Sequence, residues 1–212
     1  LETVSPTGSY KDRFAAFAIS HMFMEGKKLC IATSSGNTGA ALSAYCATAK
    51  IRCVIAVVDG ITQAKTQQML SYGAEIYEIK NFGKDPQVTE NTFELIRKQG
   101  ESENASLQIS AYKFSPIGMA GVQSIAFELE KQLKTIDHIF CPAGGGGLTL
   151  SIAHGFDNLL YMKKIDHFPI IHCVQPLGND TMASSLRLGL NRGTEVQCKT
   201  TISGLQVPNL LD

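Results

Sequence analysis

Short apolar runs bounded by turn residues alternate with segments whose apolar positions recur at three- and four-residue intervals, and the alternation holds along most of the chain. Leu29 to Thr33, Cys53 to Val58, Glu75 to Ile79, Leu107 to Ser110, His138 to Cys141 and Ile170 to Gln175 read as strands. Thr38 to Ala49, Gln63 to Tyr72 closed by Gly73, Pro86 to Lys98, Gly118 to Leu133, Leu148 to Tyr161 and Asp180 to Leu190 read as helices. Strand, helix, strand in unbroken succession predicts an α/β fold with a largely parallel sheet and crossover helices. Thr200 to Val207 has too little pattern to assign. A polar loop at Gly100 to Asn104 and a break at Lys113-Phe114-Ser115-Pro116 are places where the chain can pass between lobes. Neither resembles a long flexible linker, so two lobes sharing a cleft are expected.

A further helix precedes the first strand. Phe14, Phe17, Ala18 and Met22 supply its apolar stripe, which ends near Gly26, and Ser9 with Asp12 has the spacing of an N-cap and its capping box. That start puts Lys11 in the first turn, where the helix dipole is positive. The dipole disfavours an ammonium there by about 0.3–1 kcal/mol, and burial disfavours it further. A neutral amine is a nucleophile that can form a Schiff base with a carbonyl cofactor. An ordinary lysine at a helix end sends its nitrogen to water, and taken alone Lys11 reads that way.

Two loops change that balance. Ser34-Ser35-Gly36-Asn37-Thr38-Gly39 joins a strand to a helix N-terminus, where outward amides and small side chains let a ligand approach the backbone. Asn37 can bond a phenolic oxygen or a carboxylate, or satisfy a turn or cap; ligand contact is favoured because parallel sheets bind at their strand ends. Gly144, Gly145, Gly146 and Gly147 also follow a strand and open a helix, an arrangement that aims several amides at one phosphate. The Lys-Ser/Thr tail of a P-loop and the G-x-G-x-x-G spacing are both missing, so a compact phosphate ester fits better than a nucleotide.

Composition narrows the classes. The 19 basic and 19 acidic residues cancel and form no block, which leaves no electrostatic footprint for nucleic acid or an anionic membrane. No apolar run approaches the roughly 18 residues of a membrane span and no signal peptide is evident, so a cytoplasmic location is the default. Six single cysteines, four of them in strand-like runs, read as small buried hydrophobes rather than disulfides or metal ligands. Five scattered histidines give zinc chemistry no support, and Ser34 or Ser35 lacks the G-x-S-x-G context of an acyl-transfer nucleophile. Leu1 at the start and an end without a terminal helix read as an internal piece of a longer protein.

An electrophilic cofactor held on a lysine and carrying a phosphate, pyridoxal phosphate, joins Lys11, Asn37 and the four glycines. Here the chain resembles the fold-type II, or tryptophan synthase β-like, family of pyridoxal phosphate enzymes, threonine synthases most of all. The resemblance rests on Pro6 to Arg13, Ser34 to Gly39, Gln68 to Glu75 and Gly144 to Leu148, which occur in the family's order. It implies residues 1–28 as a lysine-bearing segment of a large lobe, 29–114 as a small lobe and 115–212 as an incomplete large lobe. It further implies Lys11 as the cofactor lysine and proton shuttle, Asn37 beside the ring and Gly144 to Gly147 on the phosphate. Ser34, Ser35 and Thr38 would meet the carboxylate of a small amino-acid substrate, no metal would take part, and the assembly would be a homodimer. The activity implied is conversion of O-phosphohomoserine to threonine and phosphate. One departure matters: Gly118 and Ala120 stand where such threonine synthases carry an Arg and a Glu. Without a bidentate arginine a substrate phosphate lacks a strong partner, which brings in β-elimination from serine or threonine, or a truncated non-catalytic homologue.

Overall fold

The computed structural model describes residues 1–34, 36–61, 63–133 and 135–207, which divide into two compact units. The first unit holds Leu1–Ser110 and Phe114–Gly121; the second holds Ala111–Lys113 and the chain from Val122 onward.

In the first unit, strands β1 (Leu29–Thr33), β2 (Arg52–Val58), β3 (Glu75–Ile79) and β4 (Ala105–Gln108) form a wholly parallel sheet in the order β3-β2-β1-β4. A parallel sheet needs both faces covered, and the central strands β1 and β2 supply two apolar faces. Ile31 and Ala56 face one way, into a cluster with Phe82, Ala105 and Ile96 of helix α4 (Pro86–Gly100). Cys30, Ala32, Cys53, Ile55 and Val57 are buried residues of the opposite phase. Helix α2 (Asn37–Ala49) packs on β1 and β2 and against α3 (Gln63–Ser71). Helix α1 (Lys11–Met24) lies against α2, and its Phe14, Ala15, Ala18, Ile19 and Met22 are all at most 2% exposed. Asp85 caps α4, its carboxylate accepting from the Val88 amide at 3.0 Å with Pro86 in the first turn. Asp85→Ala should therefore lower stability by about 1 kcal/mol, seen as an earlier urea midpoint at unchanged slope.

Helix α5 (Pro116–Val122) closes the first unit, and two glycines set its approach to α1. A Cβ on Gly118 would stand 2.5 Å from the Phe14 ring, and one on Gly121 would stand 2.3 Å from the Arg13 carbonyl oxygen.

In the second unit, β5 (His138–Pro142) and β6 (Ile170–Val174) pair in parallel, and α6 (Ser124–Gln132) and α7 (Gly147–Tyr161) pack over them. Ala126, Cys141, Ile152, Phe156 and Leu159 form that core. Gly155 lets α7 approach α6, since a Cβ there would stand 2.6 Å from the Ala126 methyl. A short α8 (Ala183–Arg187) and a 3₁₀ turn at Ser203–Leu205 follow. Among the described residues, no helix is long and apolar enough to cross a membrane.

Five sequence expectations change. The helix expected over 118–133 is two helices with Gln123 between them, and the strand expected at 107–110 begins and ends earlier. The helix expected over 180–190 shrinks because Gln175 turns its side-chain oxygen to the Met182 and Ala183 amides at 2.8 and 2.9 Å, while Gly189 at φ +66° ends the helical run. The capping box at Ser9 and Asp12 is replaced. The helix starts from Tyr10 without a side-chain cap, and Asp12, 3% exposed, accepts from the Thr7 amide and hydroxyl, each at 2.9 Å. Asp12 thereby ties the Ser5–Gly8 turn to α1, with Gly8 in the left-handed region at φ +82°. Phe17, expected in the apolar stripe, is half exposed.

Candidate functional site

In the first unit the lysine-bearing helix and the strand ends of the sheet meet at three side chains. Lys11 opens α1, and its Nζ donates to the Ser110 hydroxyl at 2.8 Å while lying 4.8 Å over the Tyr10 ring. The Ser110 and Thr38 hydroxyls lie 2.9 Å apart, so nitrogen and both oxygens form one hydrogen-bonded chain. Ser110 follows the C-terminal end of β4, and Thr38 sits in the first turn of α2 after β1. Both are carboxyl-end positions of a parallel sheet, where such sheets bind ligands.

The β1–α2 loop is shaped by Ser34. Its hydroxyl accepts from the Gly36 and Gly39 amides at 3.2 and 3.1 Å, which caps α2 from outside its first turn. Accepting those bonds leaves its own proton to donate. Gly39 is required for close approach: a Cβ there would stand 2.6 Å from the Met69 sulfur and 2.9 Å from the Ser34 carbonyl oxygen. Asn37 opens α2 with an exposed side chain, and Ser35 lies outside the described residues.

In the second unit the four-glycine loop runs from β5 into α7. Gly146 is the N-cap at φ +99°, a conformation only glycine adopts without strain, and Gly147 opens the helix. First-turn amides of a helix have no intrahelical acceptor, and the dipole there favours an anion. Thr149, in the same turn, buries its hydroxyl, which has no hydrogen-bond partner among the described residues. A buried hydroxyl left unpaired costs roughly 1–3 kcal/mol, so the turn fits a ligand oxygen that accepts from Thr149. The cradle suits a phosphate by this donor set. Gly144 is held against the later chain: a Cβ would stand 3.0 Å from the Val207 side chain.

Sequence reasoning placed Lys11 and Thr38 in the site, and the structure joins them through Ser110, which that reasoning had assigned to a strand end. The signal was available, because a hydroxyl residue at the carboxyl end of a parallel strand is a ligand-side residue. Thr149 was passed over because the glycines beside it carried the argument.

A family model described as "Pyridoxal-phosphate dependent enzyme" matches residues 1–211. The chain belongs to this family. Pyridoxal phosphate is the family's cofactor, and the α/β architecture with parallel sheets agrees with it. Threonine synthase of Halalkalibacterium halodurans is 34% identical over 158 residues, 73% of this chain and 42% of that protein. Threonine synthase of Mycobacterium leprae is 27% identical over 204 residues, 89% of this chain and 54% of that protein. Among solved structures of the family's fold, serine racemase of Dictyostelium discoideum superposes with a TM-score of 0.76 at 26% identity, covering 99% of this chain and 62% of that one. The chain therefore spans about half the length of the relatives it matches.

Proposed function

We propose that the chain is the catalytic part of a pyridoxal phosphate-dependent amino-acid lyase of the threonine synthase kind, turning O-phosphohomoserine into threonine and phosphate. The observation that carries the reading is Lys11 Nζ, on the first turn of α1, held by the Ser110–Thr38 hydroxyl pair at the strand ends. Identity to threonine synthases supports the substrate.

Lys11 would hold the cofactor covalently, Asn37 would lie beside its ring, and the amides of Gly144, Gly145, Gly146 and Gly147 with the Thr149 hydroxyl would take its phosphate. The bound cofactor supplies an electron sink for carbanions next to its nitrogen. Lys11 Nζ, bonded to Ser110 Oγ, would hold or give up the proton moved at the substrate's carbons. The Thr38 hydroxyl orients Ser110 for this. Ser34 fixes the loop amides that, with Ser35 and Thr38, would face the substrate carboxylate. The reading includes residues 1–28 and 115–212 as one large lobe, 29–114 as the small lobe, and a homodimer working in the cytoplasm.

A second reading, β-elimination from serine or threonine, has its own observation. Gly118 has no room for a side chain, because Phe14 stands 2.5 Å and the Ser115 hydroxyl 2.9 Å from its Cβ position. An arginine on the substrate phosphate is thus absent from this position for a packing reason. Release of inorganic phosphate from O-phosphohomoserine, set against keto acid from serine and threonine, decides between the two. Phosphate with threonine as co-product supports the first reading, and keto acid alone overturns it.

Ser110→Ala tests the hydroxyl chain. It should leave cofactor binding intact and lower kcat by about 10-fold or more with KM little changed. An unchanged kcat would show that Ser110 only packs.

A further inference from the structure

Three cysteines outside this site converge. Cys30 of β1 and Cys53 of β2 are direct partners in the parallel register, so both side chains leave the sheet on the same face. Cys46 comes from α2, which packs on β1 and β2. The three sulfurs lie within 4.8 Å of one another, and the residues are 0%, 4% and 0% exposed for Cys30, Cys53 and Cys46. Cys141, Cys173 and Cys198 are not part of the group.

We propose that Cys30, Cys46 and Cys53 form a three-sulfur site for one soft monovalent ion of the copper(I) class. Soft sulfur ligands select such ions over hard cations. Metal–sulfur bonds of about 2.3 Å in a trigonal plane place the sulfurs about 4 Å apart, a contraction that small side-chain rotations supply. Zinc is disfavoured, since it asks for a fourth ligand and these three residues are sealed from water.

Charge closes as well. The ion enters as one thiol loses one proton to solvent, giving one thiolate, two thiols and one positive ion, with no net charge buried.

The test uses the purified protein, reduced and without oxygen, with copper(I) supplied in competition with bicinchoninate. One equivalent should be retained, equally by the wild type and by a C141A/C173A/C198A variant, and lost in Cys46→Ala and in Cys53→Ala. X-ray absorption on the wild type should show three sulfur neighbours at about 2.3 Å. That spectrum decides the matter even where a cysteine variant fails to fold. No retained equivalent, nitrogen or oxygen neighbours, or copper kept by a folded C30A/C46A/C53A variant would each overturn the site. So would an isolated disulfide among the three without copper retention.

Discussion

Lys11→Ala should give a folded protein that develops no visible band of covalently held pyridoxal phosphate and turns over any substrate at least about 10²–10⁴ times more slowly. The side chain is half-buried and its partners are the Ser110 hydroxyl and the Tyr10 ring, so the variant leaves α1 and its core intact. Lys11→Arg is the sharper control. It keeps a cation in the first turn but has no nucleophilic amine, so it should lose the band as completely as alanine does. Borohydride reduction of the wild type followed by peptide mapping should place the cofactor's mass on Lys11. A tag on another lysine, or a band that survives Lys11→Ala, would remove the whole reading of the first unit's site.

This outcome depends on features of unequal visibility in the sequence. The strand and helix order was legible because the central strands β1 and β2 are dense apolar runs and several helices carry their own stripe. Lys11, the Ser34–Gly39 loop and the four glycines were legible because they are local: strand, loop and helix start lie within a few residues. Ser110 was legible only as a strand-end hydroxyl, since its bond to Lys11 arises only when α1 and the end of β4 come together. The same holds for the three cysteines, whose single, scattered positions hide a convergence made by strand register and by α2. Local capping was misread for a related reason. Asp12 had an equally good partner in Thr7, and the tertiary turn at Gly8 decided which bond formed. Gln175, just beyond β6, takes the amides at the start of α8, which no helix-start signal contains.

The contact between Phe14 and Gly118 carries the second large effect. Phe14 is fully buried, and Phe14→Ala should cost about 3–5 kcal/mol through lost burial and the cavity left behind. Gly118→Ala in the wild type should also destabilise, by about 1–3 kcal/mol, because its new methyl meets the ring at 2.5 Å. Combined, the two should not add. With the ring gone, a methyl at position 118 enters the cavity and gains the helix preference of alanine over glycine, about 1 kcal/mol. The Ser115 hydroxyl, 2.9 Å from that methyl, is bonded to Gln108 and limits the gain. A double-mutant cycle by urea denaturation should therefore give a coupling of about 1–3 kcal/mol favouring the pair. Additive costs would mean that α5 slides to accept the methyl, and the closed glycine would then cease to explain why no arginine stands at this position. Because Phe14 is one turn from Lys11 on the same helix, Phe14→Ala should also weaken cofactor retention while leaving the lysine chemically competent. Partial recovery of retention in the double variant would show that the packing of α1 on α5 sets where the lysine points.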